Sequence, residues 1–140
     1  MEPCERSVCQ GEFIMSRRVL SVGQCGPDHG SISRFLKSKF DVTIETADTI
    51  VDAMHDLRGS RYDLVLVNRK LDADYSDGSE LIRLMQADPE LAQVPVMLVS
   101  NYAEHQENAV ALGAVAGFGK NDVGSSAAAA RLEPYLGSAS

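Results

Sequence analysis

Asn68, Ser100 and Lys120 each close or follow a run of apolar or small residues: Leu64–Val67, Val96–Val99 and Ala114–Gly119. An amide, a hydroxyl and an ammonium brought together can hold an anion or hydrogen-bond one another. They do not supply a nucleophile. The amide nitrogen of Asn68 does not attack at neutral pH, and its uncharged oxygen is a weaker ligand for a hard cation than a carboxylate. Carboxylates follow at Asp72, Asp74 and Asp77, with Tyr75 among them. They read as a solvated acidic loop, with a displaced nucleophile or a cation loop as the alternative. Cys25, within the turn-rich stretch Gly23–Gly30, is either a packing residue or an exposed thiol whose pKa a neighbouring lysine lowers. His29, His55 and His105 are scattered and read as surface or cap residues.

These groups matter if the fold brings them together. Tyr62-Asp-Leu-Val-Leu-Val-Asn68 is a short apolar run bounded by polar residues, the pattern of a strand buried on both faces. Such a strand lies at the centre of a parallel sheet, which puts Asn68 at the carboxyl rim where these sheets place their chemistry. Arg18–Val22 precedes it as a first strand. A helix capped by Ser31 follows, with Ile32, Phe35, Leu36 and Phe40 on one face. Val42–Thr46 alternates as a more exposed strand, and a helix over Thr49–Arg58 turns Ile50, Ala53, Met54 and Leu57 inward. Asp77-Gly-Ser opens a third helix, stopped at Asp88-Pro89. Pro95–Ser100 is a strand, 104–112 a short helix, Ala114–Gly119 a last strand, and Ala127–Leu132 a final helix that Pro134 should end or kink. Five strand–helix units with short links predict an α/β fold: a flavodoxin-like, doubly wound, five-stranded parallel sheet of order 2-1-3-4-5 in three α/β/α layers.

The expected domain covers residues 17–136, between a flexible tail at 1–16 and a short tail at 137–140. The tail carries Cys4 and Cys9 at no metal-ligand spacing, and Met15 would also serve as a start. Three cysteines in all suit a reducing compartment, so a cytoplasmic location is expected. With a net charge of −7, a nucleic-acid partner would have to bind against the overall field, and none is expected. No apolar run approaches the roughly 20 residues that span a bilayer; no membrane association is expected.

Val19-Leu-Ser-Val22, Tyr62–Val67 with Asp77-Gly78, Pro95–Ser100, and Gly113-Ala114 followed by Lys120 occur in an order and spacing that resemble the receiver domain of two-component response regulators. The resemblance covers Arg18 to about Leu136. It implies an aspartate at the end of strand three that takes a phosphoryl group, two acids after strand one that hold Mg²⁺, and a hydroxyl and a lysine that contact the phosphoryl group. Ser100 and Lys120 match the last two. Gly23 and Gln24 stand where the acid pair belongs, and Asn68 stands where the phosphoacceptor belongs.

Without those three charges little compensates Mg²⁺ for its lost water, so neither metal nor other cofactor is expected, and Lys120 is expected to sit in a site emptied of its anions. The interval from Asn68 to Gly78 is longer than the usual receiver spacing, and that from Ser100 to Gly113 is shorter. Gly117 falls where the family's switch aromatic belongs, with Phe118 one place later. The chain reads as a degenerate pseudo-receiver: non-enzymatic, not phosphorylated, and acting on a protein partner through its fourth helix, fifth strand and last helix. The Ala127–Ala130 run admits a weak homodimer. The alternatives are a small-molecule or anion sensor that reuses Asn68, Ser100 and Lys120, and an atypical receiver phosphorylated on a nearby Asp.

Overall fold

The structure, a computed structural model, describes residues 16–137. Apart from Ser16 and Gly137, both expected tails fall outside the described residues, as do Cys4, Cys9 and Met15. The elements run β1 (Arg17–Val22), α1 (Gly26–Lys39), β2 (Val42–Ala47), α2 (Ile50–Gly59), β3 (Leu64–Asn68), α3 (Ser79–Ala87), β4 (Val96–Val99), α4 (Ala103–Ala111), β5 (Val115–Phe118) and α5 (Ser126–Leu136). All strand pairs are parallel, in the order β2-β1-β3-β4-β5. This is the doubly wound sheet that the sequence predicts.

The period of two along β3 divides the core. Leu64 and Leu66 face α1 and α5, where they meet Ile32, Phe35, Leu36, Leu132 and Leu136. Val65 and Val67 face α2 and α3, among Ala53, Met54, Leu57, Leu81, Ile82 and Met85. All five residues of β3 are buried, because successive side chains point to opposite faces and both faces carry helices.

Two helices differ from expectation. α1 starts at Gly26, ahead of the Ser31 cap, so most of the expected loop Gly23–Gly30 is helical. Pro27 lies in the first turn, where its missing N–H has no intrahelical partner to lose, and Asp28 beside it suits the positive end of the helix. α5 runs through Pro134 to Leu136. Proline's fixed φ is helical, and Leu132 and Leu136, both buried, hold the last turn on the sheet. A short 3₁₀ turn, Lys120–Asp122, joins β5 to α5. Among the described residues no helix is long and apolar enough to cross a membrane.

The amino ends of the central strands are tied by a polar cluster. Arg18 Nη2 lies 2.6 Å from Glu45 Oε2, and the Tyr62 hydroxyl donates to Glu45 Oε1 at 2.6 Å. The Arg18 guanidinium also stacks 4.8 Å above the Tyr62 ring. Burial, then the bond to Glu45, push the Tyr62 hydroxyl up to about 12. The same hydroxyl, with Arg18, holds Glu45 below the usual carboxylate range. We expect Tyr62→Phe to cost about 1.5 kcal/mol, the worth of a hydrogen bond to a charged group, read as a lower urea midpoint. An unchanged midpoint would mean that Arg18 alone satisfies Glu45.

Candidate functional site

The strand order sets the ends of β1 and β3 side by side, so Gly23, Gln24 and Asn68 meet at the carboxyl rim. Asn68 is 8% exposed. Its Nδ2 donates to the carbonyls of Lys70 (2.8 Å) and Gly23 (3.3 Å). The Gly23 carbonyl also accepts from Asp72 N at 2.9 Å, which draws the loop after β3 across the end of β1. Leu71, fully buried, then lies against Gly23. Gly23 has φ +74°, and a Cβ there would stand 2.4 Å from Leu71 Cγ, so both conformation and contact demand glycine. Ser21 Oγ, the Gln24 amide and His29 Nδ1, nearby in the sequence, are enclosed without a hydrogen-bond partner among the described residues.

Lys120 does have an anion. Its Nζ is 2.6 Å from Asp28 Oδ2, which corrects the expectation of an unpaired cation. The acid comes from the first turn of α1, a stretch expected to be loop. The bond to Lys120 holds Asp28 below its ordinary value, against burial, and the nearby Cys25 thiol acts in the same direction. Cys25 is half-buried at the N-cap of α1.

Ser100, 8% exposed, turns to other partners. Its Oγ lies 2.8 Å from His105 Nδ1 and accepts from Tyr102 N at 3.3 Å. Asn68, Ser100 and Lys120 thus share the rim without a hydrogen bond among them, so of the two readings of these groups the mutual bonding does not form. His105 departs from the surface reading: it is half-buried and stacks edge-on against Tyr102 at 5.1 Å.

The acidic loop is folded rather than merely solvated. Lys70 and Asp77 form an antiparallel bridge, and Tyr75, exposed, takes φ 60°. Asp74 Oδ1 accepts from Ser76 N and Oγ, and that pair of bonds holds its carboxyl below the usual range. Burial opposes charge on Asp77, but the N–H and hydroxyl of Ser79 outweigh it and keep this carboxyl low as well. Asp77 thereby caps the start of α3. Among the described residues no group of three or more His, Cys, Asp or Glu is placed to hold a metal ion.

On the far side of Ser100, a groove of about 310 Å³ runs between α4 and β5, lined by Tyr102, Gln106, Glu107, Gly117 and Arg131.

Solved structures match this architecture. A response regulator from Chloroflexus aurantiacus superposes at TM-score 0.70 with 12% identity, over 87% of this chain and 98% of that one. The signal receiver domain of a DNA-binding response regulator from Colwellia psychrerythraea matches at TM-score 0.64 and 23% identity, over 76% and 87%. The chemotaxis response regulator CheY4 of Vibrio cholerae matches at TM-score 0.62 and 17% identity, over 75% and 85%. The chain has the fold of response regulator receiver domains. No protein-family model matches it, and no curated protein is significantly similar to it.

Sequence reasoning missed Asp28 as the partner of Lys120, Leu71 as the cover of Gly23, and Gln106 and Arg131 at the groove. Leu71 left a sign, an apolar residue in an otherwise polar loop. Gln106 left none, since one polar residue on a polar helix face carries no pattern.

The ion pair has a pH signature. A carboxylate held below its unfolded value of 3.8 stabilises the fold above that value and loses the contribution as pH falls through the lower, folded one. With Lys120 and Asp28 side chains 36% and 30% exposed, solvent screening keeps the pair at about 1 kcal/mol or less. Lys120→Met should let Asp28 titrate closer to 3.8 in carboxyl-detected NMR; an unmoved titration would mean that the pair does not form in solution.

Proposed function

We propose that this chain is a non-phosphorylatable signalling module of the receiver type that acts by binding a protein partner. The observation that carries the reading is the chemistry at the end of β3. Asn68 stands there as a neutral amide that donates both of its hydrogen bonds inward, to Lys70 and Gly23 carbonyls. It is neither a nucleophile nor an anion. The donor set does not fit a hard dication: Gly23 and Gln24 bring no carboxylate, Leu71 packs against Gly23, and Asp28 is committed to Lys120. On this reading the protein binds no Mg²⁺, performs no catalysis and takes no phosphoryl group.

The partner surface is the face of α4, β5 and α5. Tyr102 (66% exposed), at the N-cap of α4, lines the groove at Gly117, and Val110 (48%) is exposed near the other end of the helix, the kind of apolar exposure that marks protein contact sites. Protein rather than nucleic acid follows from the net charge of −7. Self-association through this face would be the weak homodimer that the exposed Ala127 and Ala130 of α5 admit. An anion sensor at Asn68, Ser100 and Lys120 is less well supported, because Asp28 already neutralises Lys120.

Titration with Mg²⁺ and beryllofluoride, a phosphoryl mimic, tests the reading by amide NMR. We expect no saturable shift at Asn68, Ser100 or Lys120 up to tens of millimolar Mg²⁺, and no gain of a phosphoryl group in intact mass after incubation with acetyl phosphate. Saturable shifts would show that the rim still holds metal and anion. A phosphoryl adduct would overturn the reading and make Asp72 the first acceptor to examine, since Asp74 and Asp77 are engaged by Ser76 and Ser79.

A further inference from the structure

The pairing of β4 with β5 is interrupted, and a side chain from α4 fills the interruption. Met97 lies opposite Val115 and Val99 opposite Phe118, so β5 carries one residue more than β4 across this step. Such a bulge breaks the hydrogen-bond ladder locally. The Gln106 amide enters the gap. Its Nε2 donates to the carbonyls of Leu98 (2.8 Å) and Ser100 (3.2 Å), with the Phe118 carbonyl 3.5 Å away. Its Oε1 accepts from Gly117 N at 3.1 Å. An amide side chain has the same donor and acceptor as a peptide unit, and here it does what a strand residue would do.

Gly117 is held from the other helix as well. Its carbonyl accepts from Arg131 Nη1 on α5. Both backbone groups of this bulged edge residue are thus taken by side chains, one from each flanking helix, which also removes them from pairing with another strand. A side chain at this position has no room: a Cβ would stand 2.3 Å from the Leu98 carbonyl oxygen and 3.1 Å from Gln106 Oε1. The preceding residue of α4 adds a further tie, His105 to the Ser100 hydroxyl.

We infer that Gln106 and Arg131 form a clasp on Gly117 that locks α4, β5 and α5 into one unit, so that their shared face keeps a single conformation whatever the state of the strand-end pocket. The inference rests on the proposed function only in taking that face as the docking surface; the clasp itself belongs to the free protein. Drawing α4 away from the sheet would strip the whole set of Gln106 bonds at once and leave carbonyls and an N–H at a partly buried bulge without partners. The pocket is poorly placed to drive that motion. Asn68 bonds to Gly23 and Lys70, and Lys120 to Asp28, none of them clasp groups. Ser100, the residue shared by rim and groove, turns its hydroxyl to His105 and its carbonyl to Gln106.

Hydrogen exchange of the full chain, read by NMR, tests the clasp without any partner. The variants are Gln106→Glu, which can still accept from Gly117 but no longer donate to the carbonyls, Arg131→Ala, and Asp28→Asn as a pocket control. We expect the two clasp variants to speed exchange across α4, β5 and the first turns of α5 together by about tenfold or more, with α1 to β3 unchanged. Asp28→Asn should leave the α4 and β5 resonances in place. Faster exchange in α4 alone, a uniform rise that includes α1 to β3, or displacement of the α4 and β5 resonances by Asp28→Asn would each overturn the inference. Should Gln106→Glu not fold, Arg131→Ala, changed at an exposed position on α5, still decides it. Saturable beryllofluoride shifts at Asn68 would sink the functional reading and leave this exchange pattern standing.

Discussion

Burial of β3 on both faces is the constraint from which the rest of the molecule follows. Five consecutive buried residues, Leu64 to Asn68, cannot lie at an edge or on a solvated sheet face. They require parallel neighbours on each side and helices above and below. That arrangement brings Asn68 to the carboxyl rim next to the end of β1, and it leaves the loop after β3 to pass over Gly23. The chemistry of the rim is decided by what stands at the end of this strand. A neutral amide stands there, and it is satisfied by backbone carbonyls on the protein's own side.

Charge balance at the rim is restored from an unexpected direction. Lys120 is partly exposed, and α1 supplies Asp28 from its first turn as its counter-charge. The apolar counterpart is Leu71, which packs against Gly23 where a side chain could not fit. One ion pair, and one leucine packed against Gly23, thus stand at the same rim as Asn68.

The opposite side of Ser100 obeys another constraint, the need to satisfy backbone groups where a ladder is broken. Gln106 and Arg131 meet that need at Gly117 and bind two helices to the edge strand in doing so. Tyr102 and Val110 remain exposed near the two ends of α4. The groove lining mixes aromatic and polar groups, Tyr102 with Gln106, Glu107 and Arg131, and Ser100 directs its hydroxyl to His105 and its carbonyl to Gln106.

The sequence by itself determined the strand order, the position of Asn68, Gly23 and Gln24 at the rim, and the inward face of α2. Each of these follows from the period and length of apolar runs, which are local and carry their own burial signal. Helix limits were less legible. Pro134 inside α5 looks like a breaker from composition, but burial of Leu132 and Leu136 overrides that preference, whereas Pro27 sits in the first turn of α1, where it costs no hydrogen bond. The tertiary structure alone decided which polar groups pair: Lys120 with Asp28, Ser100 with His105, Gln106 with the bulge at Gly117. These partners are as far apart in sequence as 28 and 120, and no periodicity marks them. A polar residue's partner is chosen by which buried donor or acceptor the packed helices bring within about 3 Å, and that distance exists only once the fold has formed.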